Sequence, residues 1–475
     1  MFAFIFDTVL PHGQILLFLG LAFGLYMAWT IGANDVANAM GTAVGSGGLT
    51  LKRAVIIAGT MEFAGAVLLG SHVADTVRGK MFDPNLFEPN ALVLGFIASL
   101  LASAAWLHIA SSLGWPVSTT HTIVGAVVGI GIIVGGFNSI NWGKIGEIVL
   151  SWGTSPLVGG LLAFSIFKLI QRMIIEDKHP LRQTYRLIPA LVFFMAFVLS
   201  LVLAWKGLKN VGLDLTLGPA LLAATATALL AAVSSLAWVA RLRVRHEKER
   251  VERHIELESE PQQGNIPFLR KELRGQPDAQ QELRPALVPG SELPARRWEY
   301  RREFEFEKME FVFATLLVIS AAFLAFAHGA NDTANAIGPL ATIIAILREG
   351  SVAAQAPVPI GLLVLGGIGI VLGLATYGYK VMETVGKKIT ALTPSRAFAA
   401  NLGAATTIVV ASRLGLPIST THTLVGAVLG IGLARGIEHL NLRVVRDIAV
   451  SWVITVPAGG ALAAIIYYAL RAIFL

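Results

Sequence analysis

Asn34, Asp35 and Asn38 fall within about one helical turn of each other in the stretch GANDVANAMG from Gly32 to Gly41. Asn331, Asp332 and Asn335 do the same in GANDTANAIG from Gly329 to Gly338. A carboxylate and two amide oxygens at that spacing are hard ligands suited to Na+, and the aspartate alone is equally able to carry a proton. Gly32 and Gly329 permit backbone geometry that releases carbonyls from the helical ladder, adding further oxygen ligands. Asn and Asp also cap broken helices, but two copies of the pattern inside apolar surroundings favour a cation site centred on Asp35 and Asp332.

A second pair of motifs offers the opposite chemistry. Ser118, Thr119, Thr120, His121 and Thr122 follow Pro116; Ser419, Thr420, Thr421, His422 and Thr423 follow Pro417. Proline, then clustered hydroxyls, then an apolar run reads as a helix N-terminus. Its free N–H groups, positive dipole end and hydroxyls form an anion site without Arg or Lys. Ser118, Thr119, Thr120, Ser419, Thr420 and Thr421 are therefore the candidate oxyanion donors, and two such ends meeting near the midplane would wrap one anion. His121 and His422 either orient these turns through a neighbouring carbonyl, the preferred reading, or titrate near neutral pH as gating or proton-linked groups. Glu62 is an isolated acid in an apolar span, and its burial demands a partner, expected to be a cation in the same site. Asp75, Asp83 and Glu88 fall at a loop, Glu147 and Asp447 at span ends, and Trp152 and Trp452 read as packing or interfacial anchors.

The elements that must position these residues are membrane helices. Of 475 residues, 55% are hydrophobic and only 14% charged, well under the roughly 25% charged expected of a soluble domain. The absence of Cys excludes disulfides, thiolate metal sites and cysteine nucleophiles. The two GAND stretches agree at 8 of 10 positions, and GWPVSTTHTIVGAVVGIG agrees with GLPISTTHTLVGAVLGIG at 14 of 18, which marks an internal duplication. Apolar segments fall near 14–31, 54–71, 91–111, 117–136, 145–170, 187–205 and 218–240, then near 311–328, 357–379, 397–412, 417–435 and 445–474. The pieces around 111–121 and 412–422 read as hairpins or broken helices. The stretches 36–50 and 333–347, after each GAND motif, read as too short and Gly-rich for simple spans. The N-terminus has no Lys or Arg before its apolar run, so the first helix is expected to be retained.

The net charge of +7 does not indicate nucleic acid, because residues 241–310 balance 15 basic against 15 acidic side chains and the excess sits in short loops. Lys168, Arg172, Lys178, Arg182 and Arg186 form one basic loop, Arg241, Arg243 and Arg245 open another, and Lys380, Lys387, Lys388 and Arg396 form a third. Placing these on the cytoplasmic side puts both termini outside and inverts the two halves relative to each other. The expected organisation is a first repeat at 1–170, two linking helices at 171–240, a charged cytoplasmic insert at 241–310 and a second repeat at 311–475. The flanks of the insert suit helical extensions with opposite charges at neighbouring turns.

The paired GANDxANA and G-x-P-x-STTHT blocks resemble the inorganic phosphate transporter family of secondary carriers, over nearly the whole chain apart from the insert. The resemblance implies cotransport of inorganic phosphate with Na+ or H+ through twelve membrane elements in inverted repeats. It places the family's cation ligands on Asn34, Asp35, Asn331 and Asp332, its phosphate-contacting hydroxyls on the six Ser and Thr residues above, and its important glutamate on Glu62. Many members carry a second glutamate shortly before the second STTH block, where this chain has Asn401, an amide that can still ligate Na+ but brings no charge.

The expectation is thus an all-α polytopic membrane protein of about twelve elements. It would import phosphate across the cytoplasmic membrane with Na+ or H+ as coupling ion and with no cofactor. Inorganic phosphate and the bilayer are the expected partners, with a homodimer as the expected assembly and no nucleic acid. Sulfate or a metal–phosphate complex as substrate, and a passive anion channel, are the alternatives. An intramembrane enzyme is disfavoured because Ser, His and Asp recur in symmetric positions, whereas active sites need asymmetric roles.

Overall fold

The computed structural model describes residues 8–45, 48–82, 86–112, 117–205, 215–259, 292–351, 358–378, 392–436 and 442–475. Pro116, the centre of the insert and the basic loop at Lys380, Lys387 and Lys388 lie outside these residues. Among the described residues twelve α-helices follow in order: α1 (Gly13–Gly45), α2 (Leu51–Gly79), α3 (Pro89–Ser112), α4 (Thr119–Gly135), α5 (Trp142–Ile170), α6 (Pro180–Ala204), α7 (Leu217–Ser259), α8 (Glu292–Glu349), α9 (Ile360–Gly373), α10 (Pro394–Arg413), α11 (Thr420–Arg435) and α12 (Leu442–Phe474). Among the described residues, nine helices are long and apolar enough to cross a membrane, and each of the twelve apolar segments of the sequence lies on one helix of the set. The chain is an all-α, polytopic membrane protein.

Its halves are inverted repeats. The homologous helices α1 and α8 lie side by side in opposite directions: Gly20 faces Ile343, Gly24 faces Leu340, and the N–H of Val9 donates to the carbonyl of Leu347 at 2.9 Å. Contacts recur in exchanged form between the halves. Gly125 of α4 abuts the carbonyl of Val456 in α12, while Gly426 of α11 abuts that of Pro156 in α5. Each half therefore packs its motif helix on the last helix of the other half, which holds the hairpins together at the centre.

Two expectations need correction. The GAND stretches are not separate short elements: α1 runs unbroken for 33 residues and α8 for 58, both straight through the motif. Gly32 and Gly329 accordingly release no carbonyls. They serve close approach instead, since a Cβ on Gly32 would stand 1.9 Å from the carbonyl oxygen of Ile370, and one on Gly329 would stand 2.1 Å from that of Glu62. A glycine that reads locally as a helix breaker is kept helical here by the neighbouring helix packed against it.

The piece around 412–422 is a hairpin in which α10 turns into α11 through Gly415; α3 likewise packs on α4, and residues 113–116 lie outside the described residues. The second helix of each pair is only 17 and 16 residues long, about 25 Å and too short for a bilayer core of about 30 Å. Both short helices end at a glycine of positive φ, Gly136 at 81° and Gly436 at 121°, a conformation that side-chain-bearing residues rarely adopt.

α6 and α7 pack against each other, with α6 resting on α8 and α10. α7 and α8 continue without a break across residues 241 and 310 as charged extensions. Arg245 pairs with Glu249 at 2.9 Å along α7, while Arg253–Glu307 at 3.0 Å and Lys308–Glu249 at 2.8 Å tie the two extensions together.

Candidate functional site

The GAND segment of each half meets the N-terminus of a short motif helix at the centre of the molecule. Ser118 caps α4 by accepting the backbone N–H of His121 at 3.2 Å, and Ser419 caps α11 through His422 at 3.1 Å. Thr122 and Thr423 bond back to the carbonyls of these serines at 2.7 and 2.8 Å. The N–H groups of Thr119, Thr120, Thr420 and Thr421, in the first turns, have no intrahelical acceptor and point out of the helix ends. A serine that accepts from a cap N–H keeps its own hydroxyl hydrogen to donate, so capping and anion binding coexist on Ser118 and Ser419.

The threonines cross the boundary between halves. Thr421 donates to Asp35 Oδ1 at 3.2 Å and accepts from Asn38 at 2.9 Å. Thr119 donates to Asp332 Oδ2 at 3.3 Å, and Thr420, in the same half as Asp332, donates to that oxygen at 2.8 Å. Asn335 donates to Thr120 at 3.1 Å, and Thr120 in turn donates to the carbonyl of Ile418 at 3.0 Å. Asn34 and Asn38 each donate to Asp35 Oδ1 at 3.1 Å. Asn34 also accepts from Ser111 at 2.7 Å, and Asn331 donates to the equivalent Ser412 at 3.0 Å, so both tether a hairpin to its GAND helix.

The centre of the cluster is His328, which the sequence reading passed over. Its Nε2 lies 3.0 Å from Asp332 Oδ2 and 3.7 Å from Asp35 Oδ2, and its Nδ1 bonds Glu62 Oε1 at 3.1 Å. Glu62 thus has an imidazole partner rather than only an awaited cation. Ligand atoms of Asp35, His328 and Asp332 all lie within 4.8 Å of one another. Three carboxylates are buried beside one imidazole, an arrangement that the low-dielectric interior makes costly. Asp35 Oδ2, Asp332 Oδ1, Asn331 Oδ1 and Asn335 Oδ1 are buried and accept no hydrogen bond. A set of free, buried carboxylate and amide oxygens matches a hard cation.

Other candidates sit apart. Asn401 is fully buried and accepts from Thr42 at 3.2 Å, one turn beyond Asn38, with no bond to either aspartate among the described residues. His121 and His422 are held in an aromatic cluster. Their rings stack on Trp152 at 3.8 Å and Trp452 at 3.7 Å and meet edge to face at 4.3 Å. Trp152 also donates to the carbonyl of Pro417 at 3.0 Å, joining one half to the hairpin of the other. The signal for His328 was present in the sequence: the second motif reads HGAND where the first reads IGAND, and His328 stands four residues, one turn, before Asp332.

Comparisons with known proteins follow the same lines. Residues 31–463 match the family model described as the phosphate transporter family. A Pyrococcus abyssi protein that carries the name phosphate permease, assigned without experiment, is 42% identical over 452 residues, 95% of this chain and 97% of that one. The chloroplastic inorganic phosphate transporter 2-1 of Arabidopsis thaliana is 40% identical over 95% of this chain and 72% of its own length. A solved structure described as the sodium-dependent phosphate transporter superposes with a TM-score of 0.80 at 36% identity, covering 97% of this chain and 100% of that one.

Proposed function

The chain belongs to the phosphate transporter family, and from that premise we propose that it imports inorganic phosphate by symport with a monovalent cation, Na+ first. The observation that carries the reading is the crossed bonding of the two halves, Thr421 of the second on Asp35 of the first and Thr119 of the first on Asp332 of the second. Anion donors and cation ligands share hydrogen bonds, so filling either subsite alters the other. Phosphate binds at the N-termini of α4 and α11, held by the free N–H groups and the hydroxyls of Ser118, Thr119, Thr120, Ser419, Thr420 and Thr421.

Cations bind at the free oxygens of Asp35 and Asp332, with Asn34, Asn38, Asn331 and Asn335 in support. The charge of Asp35, Glu62 and Asp332, only partly offset by His328, must be neutralised before a further anion enters the same dry space. That ordering is the physical basis of coupling. The loaded and empty sites are the ones compatible with movement of the halves, and a site holding phosphate alone is not. The repeats at 1–170 and 311–475 would move against each other, with 171–240 as linking helices and the basic loops and 241–310 cytoplasmic.

The test is labelled phosphate uptake into proteoliposomes under an inward Na+ or an inward proton gradient, with unlabelled sulfate as competitor. Accumulation above equilibrium with Na+ alone supports sodium symport, and accumulation with protons alone reassigns the aspartates as proton carriers. Asp35→Asn and Asp332→Asn are expected to abolish concentrative uptake while leaving the protein folded. Normal gradient-driven uptake by either variant would sink the assignment.

A further inference from the structure

Away from the repeats, α6, α7 and the Phe304–Glu305 stretch of α8 line an open cavity of about 1050 Å³. Charge spacing sets its level in the bilayer. α7 carries no charged residue from Leu217 to Ala240, a rise of about 36 Å and enough to cross the hydrocarbon core, and its first charge is Arg241. Arg186 is the last charge of α6 before its apolar run, and Glu310 is the last of α8 before its own run. The cavity residues Arg182, Arg186, Arg243 and Phe304 all stand within about two turns of that boundary, at headgroup depth on the face that carries the basic loops.

Five Arg and Lys side chains line the cavity against three Glu. Its Lys248 pairs with Glu252 at 3.7 Å and its Arg250 with Glu247, both along α7. Glu305 faces His179 at 3.7 Å. Arg182, Arg186 and Arg243 form no ion pair among the described residues. Arg243 is pre-positioned, with its guanidinium 5.3 Å from the centre of the Tyr185 ring, and the Tyr185 hydroxyl is fixed on His246 Nδ1 at 2.5 Å. Three arginines suit a phosphate group better than lysines would, because each offers a planar fork of donors.

We propose that this cavity is a binding site for the headgroup of an anionic phospholipid, its phosphate seated among Arg182, Arg186 and Arg243. Basic pockets between membrane helices on the cytoplasmic side bind such headgroups for the same reasons. The site is independent of what the carrier transports. It does touch the transport helix, since α8 supplies the cavity wall at Phe304 and Glu305 and runs on without a break to His328 and Asp332.

The purified full-length protein, titrated with phosphatidylglycerol or phosphatidylcholine and read by native mass spectrometry, tests the proposal. Wild type is expected to hold phosphatidylglycerol in preference to phosphatidylcholine. Replacing Arg182, Arg186 and Arg243 together by Ala should weaken retention by about tenfold for each arginine lost. A matched triple outside the cavity, Arg172, Arg241 and Arg245 to Ala, should lose less than one such step. Equal losses in the two triples would overturn the proposal, because diffuse surface charge would then account for binding. Millimolar glycerol 1-phosphate is expected not to displace the lipid; displacement would make the ligand a soluble phosphate ester and also overturn it. If the cavity triple fails to fold, Arg243→Lys serves instead. It keeps the charge but loses the fork and the ring stacking, so retention should fall about tenfold, and unchanged retention by that variant refutes the site.

Discussion

Gly329→Ala probes how the spacing of two helices sets the chemistry of the central cluster. Its Cβ would stand 2.1 Å from the carbonyl oxygen of Glu62 and 2.7 Å from that residue's carbonyl carbon and Cα, all backbone atoms that cannot rotate away. Against a contact limit of 3.0 Å, α2 and α8 must part by at least about 0.9 Å. The neighbouring His328 Nδ1 and Glu62 Oε1, now 3.1 Å apart, would move to about 4 Å, beyond hydrogen-bonding range. Loss of a hydrogen bond to a charged group costs about 1.5–3 kcal/mol, and overpacking about 1–3 kcal/mol more. The better helix propensity of Ala returns about 1 kcal/mol. The net expectation is a destabilisation of about 1.5–5 kcal/mol with loss of phosphate uptake. Gly153→Ala on α5 is the control, because its Cβ meets nothing within 4 Å and it gains only the propensity. Thermal unfolding in detergent and uptake in proteoliposomes, measured on both variants, decide the matter. If Gly329→Ala matches Gly153→Ala in both assays, the close contact does not govern the site and the reasoning fails.

Thr421→Val removes the donor to Asp35 and the acceptor for Asn38, so the apparent Na+ affinity in uptake assays should fall about tenfold. Thr421→Ser should restore it, and a Val variant with unchanged Na+ dependence would separate the hydroxyl from the cation site. Ser419→Ala should lower stability by about 1 kcal/mol, whereas Ser419→Gly should lose only a few tenths. Both should raise the KM for phosphate alike if the hydroxyl also serves the anion, and a KM that follows stability instead would leave Ser419 as a cap alone. Asn401→Glu places a buried carboxylate beside Thr42, which must be neutralised for transport. Uptake should need more Na+ and rise more steeply with it, and an unaltered Na+ curve would detach position 401 from coupling.

The duplication, the twelve apolar segments and the inverted arrangement were legible in the sequence because each leaves a local trace: repeated motifs, run lengths and charged loops. Both polar motifs were also legible, since polar groups in apolar runs stand out whatever their partners. The role of Gly32 and Gly329 was not. A glycine in a helix reads the same locally whether it breaks the helix or admits a neighbouring backbone, and only the carbonyls of Ile370 and Glu62 pressed against them distinguish the two. The ring stack of His121, His422, Trp152 and Trp452 was hidden for a related reason, because it joins residues of both halves that no periodicity connects. Asn401 was placed by alignment with a motif, but its side-chain hydrogen bond among the described residues is to Thr42, a pairing fixed by how α10 lies on α1.

His328 shows what duplication alone cannot provide. In the exchanged contacts of the two halves, Gly329 meets Glu62 where Gly32 meets Ile370. The residues preceding the two glycines are His328 and Ile31. One of two symmetry-related positions therefore holds an acid–imidazole pair and the other a pair of isoleucines. Asp332 lies 3.0 Å from His328 Nε2, while Asp35 lies 3.7 Å away and takes its bonds from Asn34, Asn38 and Thr421 instead. Two aspartates in repeated motifs thus have different surroundings. In the symport proposed above, cations bound to them would not be energetically equivalent, and that inequivalence would give the ions an order of binding and release. On that proposal the single pair of His328 and Glu62, which breaks the repeat, would give the site a direction of filling.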